Sequence, residues 1–153
     1  MKIEYAISDQ RGLAQIGPLW EKLNELHKVK ASNHAKHFAS MNFAIRKKYL
    51  LEKAQKGALR IDLAKDVLSH KIVGYCVSTV VDNRGEIDSI FVEEDYRLHG
   101  IGGDLLKNAL EWMDQLSVNN RIIIVAAGNE KVFSFYAKYN FYPRSTILAI
   151  DRQ

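Results

Sequence analysis

The sequence contains one cysteine, two prolines and no long apolar run among its 153 residues. A single cysteine, Cys76, excludes an internal disulfide and any zinc site built from several cysteines. Because Cys76 stands in an apolar segment, we expect a buried thiol. No stretch approaches the roughly 18 apolar residues of a membrane span, and the N-terminus lacks the basic and then apolar pattern of a secretory signal. These absences favour a cytoplasmic protein.

The sequence also lacks internal repeats, low-complexity tracts and linkers rich in Pro, Gly or Ser. Its length is that of one ordinary domain and is too short for two independent cores. With 47% hydrophobic and 26% charged residues, the composition is globular rather than disordered. We therefore expect a single domain over residues 1–153.

Positive charge is concentrated in one segment of the chain. Residues 22–60 contain ten Lys or Arg and two acids, a local net charge of +8, whereas the whole chain carries +4. Such a segment can contact nucleic acid, an anionic ligand or solvent. Phe43, Leu50 and Ala54 fit the buried stripe of a helix, so we favour a solvated or ligand-facing helix surface over a basic nucleic-acid-binding module.

The hydrophobic pattern predicts strands and helices in a definite order. Strands are expected at 2–7, 58–64, 71–81, 86–92, 121–127 and 141–150, and helices at 13–27, 36–56, 105–116 and 130–139. The order β-α-α-β-β-β-α-β-α-β indicates an α/β fold, a mixed sheet with helices on both faces. The apolar run 121–127 is typical of a strand buried on both faces.

Two local features refine this pattern. Pro18 is costly inside a helix, so the first helix either kinks there or begins anew with Pro18 in its first turn. Residues 82–85 predict a hairpin turn in which Asn83 and Gly85 are able to take a positive φ.

The glycines at 100, 102 and 103 open the helix that follows the strand at 86–92. Backbone N–H groups at a helix N-terminus are unpaired, and glycines let an anion approach them closely. Arg97 adds a cation just upstream, so we expect a pyrophosphate site over 97–103. Leu105 stands where a dinucleotide-binding fingerprint requires Gly or Ala, and the Gly-Lys-Ser/Thr of a P-loop is missing.

Two segments together resemble the signatures of the GCN5-related N-acetyltransferases (GNAT family). Residues 92–102, Val-Glu-Glu-Asp-Tyr-Arg-Leu-His-Gly-Ile-Gly, resemble the family's acyl-CoA signature. Residues 129–141, with Asn129, the pair Phe135-Tyr136 and Phe141, look like its second signature. The two segments stand in the family's order, and the order of predicted elements agrees over nearly the whole chain.

The resemblance implies a cosubstrate, a reaction and a set of site residues. We expect acetyl-CoA, no metal, and transfer of the acetyl group to a primary amine of a small molecule or peptide through a tetrahedral intermediate. The oxyanion is expected on backbone N–H groups of 90–92. The residues expected to bind the cosubstrate are Ile90, Phe91, Val92, Arg97, Leu98, His99, Gly100, Ile101, Gly102, Gly103, Asn129 and Tyr136.

The resemblance also assigns an acid and a base. Tyr136 matches the Phe-Tyr position and is expected to protonate the departing thiolate, whereas Tyr139 is better explained by packing. Asp88 is expected to remove the amine's proton. Glu86, two residues earlier on the same face of the strand, and a chain of water molecules are the alternatives.

Some positions depart from the family pattern. Leu98 and His99 stand where a small residue and a cation are common, and Asp104 adds a negative charge to the first helical turn, which suits the helix dipole but not phosphates. Asn140 replaces the usual glycine after the last helix, a mild change because Asn also adopts a left-handed cap.

The sequence leaves several alternatives open. His27, His34 and His37 could bind a metal, line a pocket, or lie in ordinary surface or core, and the last is favoured because nearby carboxylates are missing. Acidic residues crowd 82–95 while 22–60 is basic, and an amine bearing its own anion would suit both. A longer-chain acyl donor, a non-catalytic acyl-CoA-binding regulator and a homodimer are further alternatives.

Overall fold

The computed structural model describes residues 1–151 and contains one five-stranded sheet. Its strands, in sheet order, are β1 (Ile3–Ser8), β2 (Ala58–Asp66), β3 (Lys71–Val81), β4 (Arg84–Val92) and β5 (Asn120–Ile123). The first four strands pair antiparallel, whereas β4 and β5 pair parallel. A parallel pair needs a crossover, and the helix between β4 and β5 supplies it.

Within residues 1–151, five α-helices accompany the sheet. They are α1 (Gly17–Lys30), α2 (Ala35–Ala39), α3 (Phe43–Lys56), α4 (Ile101–Gln115) and α5 (Phe133–Ala137). A 3-10 helix over Gln10–Ile16 precedes α1, and the proline stands in the first turn of α1. Of the two alternatives for Pro18, the new helix start is therefore correct, because a missing N–H costs little in a first turn.

Two hydrophobic clusters lie on the two faces of the sheet. One joins the 3-10 helix, α1 and α3 to the sheet through residues such as Leu13, Trp20 and Leu50. The other joins α4 and α5 to the opposite face, with Leu105 and Met113 fully buried. The predicted mixed sheet with helices on both faces is confirmed. Cys76 is fully buried as expected, and burial raises the pKa of its thiol.

The predicted helix over 36–56 is wrong in one respect, because the structure divides it into α2 and α3. Asn42 has extended backbone angles, and its side chain accepts a hydrogen bond from the Ile45 amide, so it caps a new helix. The Asn24 side chain donates to the carbonyl of Phe38 at 2.9 Å, which anchors the end of α2 to α1. Capping and this tertiary contact outweigh the continuous helical pattern.

The hairpin between β3 and β4 forms where predicted, and Asn83 has the positive φ expected of it, but Asp82 rather than Gly85 is the second left-handed residue. Asp82 and Asn83 have φ of 51° and 59°, as a tight two-residue turn requires. Gly85 instead pairs with Val80 inside the ladder. An added Cβ there would lie 2.7 Å from the Met113 sulfur, so the glycine provides space for α4 rather than a positive φ.

The C-terminal part of the sheet differs most from the prediction. The strand predicted at 121–127 spans only Asn120–Ile123, and its residues are exposed or half-buried rather than buried on both faces. The strand predicted at 141–150 does not form within the described residues, where Ile147 and Leu148 are exposed. An apolar pattern shows only which side chains are nonpolar, whereas a strand also needs a neighbouring strand with which to form backbone hydrogen bonds. Residues 141–151 pair with no edge of the sheet. Within residues 1–151, no strand therefore pairs with the outer edge of β5.

The short C-terminal helix agrees with the prediction in place. A 3-10 turn over Glu130–Val132 leads into α5, and Asn140 has φ 67°, which is the left-handed cap expected there. None of the helices within residues 1–151 has the length and apolarity needed to cross a membrane.

Candidate active site

A cavity of about 360 Å³ lies between the helices α1 to α3 and the adjacent ends of β4 and β5. Its walls come from five parts of the chain, which the fold brings together. The lining residues are Trp20, Leu23, Asn24, His27, His37, Phe38, Met41, Arg46, Tyr49, Glu86, Ile87, Asp88, Ser89, Ile90, Ile123, Ile124, Val125, Ala126, Asn129, Val132 and Tyr136. The volume is within the range of small-ligand sites.

The cavity exists because β4 and β5 separate. Their ladder runs only from Arg84 with Asn120 to Ile87 with Ile123. Beyond this point no strand within residues 1–151 pairs with that edge of β4, so the edge faces the cavity. An unpaired strand edge presents backbone polar groups to a ligand, which is the arrangement expected for residues 90–92.

Asp88 occupies a β-bulge in β4. Val77 pairs with Ser89 while Ser78 pairs with Ile87, so Asp88 has no partner residue on β3. Its backbone carbonyl, released from the ladder, accepts a hydrogen bond from Nη2 of Arg46 at 2.7 Å. The bulge thus brings α3 and the wall of the cavity into direct contact.

The Asp88 carboxylate is fully engaged within the protein. One oxygen forms an ion pair with the Lys53 ammonium, and the other accepts a hydrogen bond from the Thr79 hydroxyl at 2.6 Å. The side chain is 0% exposed. Burial raises the pKa of Asp88, whereas the Lys53 charge and the Thr79 hydroxyl oppose that rise. To accept a proton from an amine, Asp88 would have to release one of these two partners.

Glu86, the alternative base, shares the same lysine. Its Oε1 atom lies 3.3 Å from Nζ of Lys53 and 3.9 Å from Nη2 of Arg84. The Glu86 side chain is 13% exposed, so most of it is removed from solvent. Lys53 therefore bridges two carboxylates of β4.

Tyr136 lies in the wall of the cavity and belongs to the hydrophobic cluster that includes Cys76 of β3. Its ring is buried and packs against Phe135 and Phe141, at centroid distances of 5.2 and 6.5 Å. The hydroxyl makes no hydrogen bond with any residue of the described chain. Burial raises the pKa of Tyr136, so the phenol is protonated at neutral pH and has a proton to donate.

The predicted pyrophosphate site forms a loop of unusual backbone conformation at the start of α4. Leu98 has φ 66° and a fully exposed side chain, and Gly100 has φ 78°. A left-handed leucine is costly, and such turns direct backbone N–H groups into a concavity that suits anions. A Cβ at Gly100 would meet nothing within 4 Å, so the space above this backbone is open.

The side chains of the other residues expected to bind the cosubstrate do not all lie on the same face of the sheet. Ile90 and Val92 pack toward α4, while Phe91 joins the cluster on the opposite face. Ile101 is buried in the core, so its backbone alone can face a ligand. Gly102 lies between Val92 and Phe135, at 3.9 and 3.7 Å from an added Cβ.

Positive charge surrounds the approach to this loop. Arg97 is fixed by a hydrogen bond from Nε to the Val92 carbonyl at 2.8 Å, and it lies over the Phe91 ring. Burial lowers the pKa of Lys30, and the nearby charges of Lys131 and Arg97 lower it further. Within residues 1–151 none of these three cations is in an ion pair, which favours a polyanionic ligand.

Three further predicted positions have defined neighbours. Asn129 accepts a hydrogen bond from Lys30 at 3.1 Å and lines the cavity. Gly103 lies under the Tyr139 hydroxyl, 2.7 Å from an added Cβ, so Tyr139 packs on α4. Asp104 accepts a hydrogen bond from the Tyr5 hydroxyl at 2.6 Å, which anchors the acidic group to β1. His99 is exposed beside the glycines.

The three histidines of the basic segment do not lie together. His27 and His37 line the cavity, both against the Phe38 ring, whereas Nδ1 of His34 lies 2.7 Å from a carboxylate oxygen of Asp151. In the described part of the chain, no group of three or more His, Cys, Asp or Glu is placed to hold a metal ion.

Comparison with known proteins identifies the family to which this chain belongs. The family model described as Acetyltransferase (GNAT) family matches residues 20–141, which include the cavity and the glycine loop. The chain belongs to this family. Among curated proteins, none matches the chain in sequence.

Solved structures show the GNAT fold at low sequence identity. A GCN5-related N-acetyltransferase from Ralstonia eutropha has a TM-score of 0.76 and 15% identity, covering 98% of this chain and 99% of its own. The PaiA N-acetyltransferase from Thermoplasma acidophilum, solved in complex with coenzyme A, has a TM-score of 0.71 and 18% identity, covering 91% and 89%. A ribosomal-protein-alanine N-acetyltransferase from Brucella melitensis has a TM-score of 0.67 and 14% identity, covering 99% and 100%.

Sequence reasoning missed several residues of this GNAT site. Arg46 and Tyr49 line the cavity, and Lys30 and Lys131 flank the glycine loop. The excess of positive charge over 22–60 was a signal for Arg46 and Lys30, but it did not distinguish cavity from solvent. Lys53, which pairs with Asp88, had no signal of its own because 35 residues separate the two.

Proposed function

We propose that this GNAT protein transfers an acetyl group from acetyl-CoA to a primary amine of a small molecule or peptide. The observation that carries the proposal is the continuity of the cavity with the unpaired edge of β4. Tyr136 also lines this cavity, and the glycine loop lies at the end of β4. A thioester next to that edge would have backbone donors on one side and a phenol on the other.

The phosphates of acetyl-CoA would be held at the loop over 97–103. The open space above Gly100, the left-handed Leu98 and the cation at Arg97 fit an anionic group there. Lys30 and Lys131 add charge for the remaining phosphate. Bound acetyl-CoA supplies the activated acyl group, and the protein's residues orient it and handle protons.

Two proton transfers are assigned to residues of the cavity. Tyr136 donates a proton to the sulfur as the carbon–sulfur bond breaks, because its protonated hydroxyl has no other partner within residues 1–151. Asp88 accepts the amine's proton after exchanging one of its two internal partners, Lys53 or Thr79. Water along the cavity is the alternative route for that proton.

Neighbours of the same fold support an amine acceptor. Their names include a ribosomal-protein-alanine N-acetyltransferase and AAC(6')-Iy, the latter bound to an acetylneamine bisubstrate analog of CoA. We extend to this chain only what those reactions share, an amine as the acyl acceptor. A cytoplasmic location and a homodimer stay predictions of the sequence.

A turnover screen tests the proposal. Purified protein is mixed with acetyl-CoA and, separately, with amino acids, polyamines, aminoglycosides and peptide N-termini, while release of free CoA thiol is followed. We expect release that depends on one acceptor class and exceeds the hydrolysis seen without acceptor, and mass spectrometry should show the acetylated amine. Tight acetyl-CoA binding with no acceptor-dependent release would instead indicate a non-catalytic acyl-CoA-binding regulator.

A further inference from the structure

Arg46 of α3 is a cation in the cavity wall that has no acidic partner. No carboxylate within residues 1–151 lies in ion-pair distance of its guanidinium. The residue is half-buried, so part of its charge is removed from solvent. A partly desolvated charge without a counter-charge is costly, and such charges in proteins are normally paired. A ligand that brings an anion would supply the missing partner.

The guanidinium is held in position by two contacts. Nη2 donates to the Asp88 carbonyl at 2.7 Å, and the central carbon lies 5.1 Å from the centroid of the Tyr49 ring. These contacts fix the plane of the group beside the β-bulge. Its other N–H groups make no hydrogen bond with residues 1–151, so a fork of donors stays available. A planar fork matches the two oxygens of a carboxylate.

The charges around Arg46 favour a ligand group that carries a single negative charge. The carboxylates of Glu86 and Asp88 are both paired with Lys53, whose ammonium lies over the same Tyr49 ring as Arg46. Burial lowers the pKa of His27, and the charges of Lys30 and Arg46 lower it further, so its imidazole is neutral at neutral pH. Among the described residues that line the cavity, Arg46 is the one Lys or Arg, and the two nearby acids disfavour a dianion such as a phosphate.

We infer that Arg46 binds a carboxylate of the acceptor, so that the substrate class is a primary amine bearing a carboxylate. This inference rests on the proposed acetyl transfer, because it identifies the acceptor of that reaction. Arg46 contacts Asp88 directly, so a carboxylate held by its fork places the amine of the same small molecule near the bulge. The residue thereby determines specificity rather than the chemical step.

The test compares acceptors that differ only in the anion. Each α-amino acid, ω-amino acid or peptide of a panel is paired with its carboxamide, which has nearly the same shape and no charge. We expect the wild-type kcat/KM to favour the carboxylate over the amide on the order of 10- to 100-fold, the effect of a charge-assisted hydrogen-bond pair. Arg46→Gln should abolish this preference, and Arg46→Lys should restore part of it. Lys48→Gln, an exposed position on the same helix, is the matched control.

A binding measurement keeps the inference independent of turnover. Trp20 lines the cavity, so its fluorescence reports acceptor binding to protein saturated with CoA. Carboxylates should bind more tightly than their amides in wild type and equally in Arg46→Gln, with acetyl-CoA affinity by calorimetry unchanged. Acetylation of amines with no carboxylate preference, or equal binding of both forms to wild type, overturns the inference and leaves the proposed function standing. Carboxylate-selective binding without any acetylation would support the carboxylate site at Arg46 and overturn the proposed acetyl transfer.

Discussion

Lys53 of α3 and Asp88 of β4 form an ion pair whose acidic side chain is entirely buried. The pair joins the basic helix to the β-bulge, and Thr79 holds the second carboxylate oxygen. The Lys53 charge keeps the pKa of Asp88 below the value that burial alone would give. The Lys53 charge therefore favours the ionised form of Asp88, which its proposed role as a base requires.

Replacing Lys53 with Met tests the base through its pH dependence. Without the ammonium, burial is less opposed and the pKa of Asp88 should rise further. A base works only when ionised, so the acid limb of the kcat/KM profile should move to higher pH, by about 1–3 units. Lys56→Met, an exposed lysine on the same helix, should leave the profile unchanged.

Asp88→Asn completes the same test. Loss of a general base should lower kcat/KM roughly 10²–10⁴-fold. Thermal unfolding of each variant separates lost chemistry from lost stability. Near-normal kcat/KM in folded Asp88→Asn, together with an unmoved profile in Lys53→Met, would make the pair structural and assign the proton to water.

Tyr136→Phe tests the proposed acid. The change removes only the hydroxyl and keeps the buried ring, so the fold should be preserved. We expect kcat to fall about 10²-fold with an unchanged acetyl-CoA Kd, because the proton is needed as the thiolate leaves. The loss should shrink with an acyl donor whose thiol is more acidic. Tyr139→Phe, which alters a packing tyrosine on the same turn, should retain activity. A wild-type kcat for Tyr136→Phe where chemistry limits turnover would exclude the role.

Gly102→Val tests the loop that should hold the pyrophosphate. The Cβ itself would make ordinary contacts at 3.7 and 3.9 Å with Phe135 and Val92, so the protein should fold. The two methyl groups would fill the approach to the backbone and weaken acetyl-CoA binding at least tenfold, about 1.4 kcal/mol. Calorimetry on this variant and on Lys107→Val, exposed on the same helix, measures the effect. Equal dissociation constants for wild type and Gly102→Val would place the ligand elsewhere.

Gly57→Ala tests the junction between α3 and β2. A Cβ at Gly57 would lie 2.0 Å from the Val80 carbonyl oxygen, and this backbone atom cannot move aside cheaply. We expect a loss of about 1–3 kcal/mol or more in the free energy of unfolding, measured by urea denaturation. Gly102→Ala, whose Cβ meets only ordinary contacts, should cost much less. Similar midpoints for the two variants would contradict the close approach of Gly57 to Val80 of β3.

Local pattern in the sequence was sufficient for much of the fold. The strands β1 to β4 and the helix opened by Gly100 are set by side-chain periodicity and backbone freedom, which act within a few residues, whereas Pro18 left a kink and a new helix start both open. The same local pattern carried the resemblance to the GNAT signatures at 92–102 and 129–141. For this reason the family and the loop at α4 were predictable.

Only tertiary structure decided the character of the site. The partners of Asp88 come from α3 and β3, and Arg46 reaches the bulge from a helix 42 residues away in the sequence. The prediction of a strand over 141–150 was wrong for the same reason that these contacts could not be predicted from the sequence. Hydrogen-bond partners and counter-charges are chosen by packing across the chain, whereas the sequence pattern shows only how polar each position is.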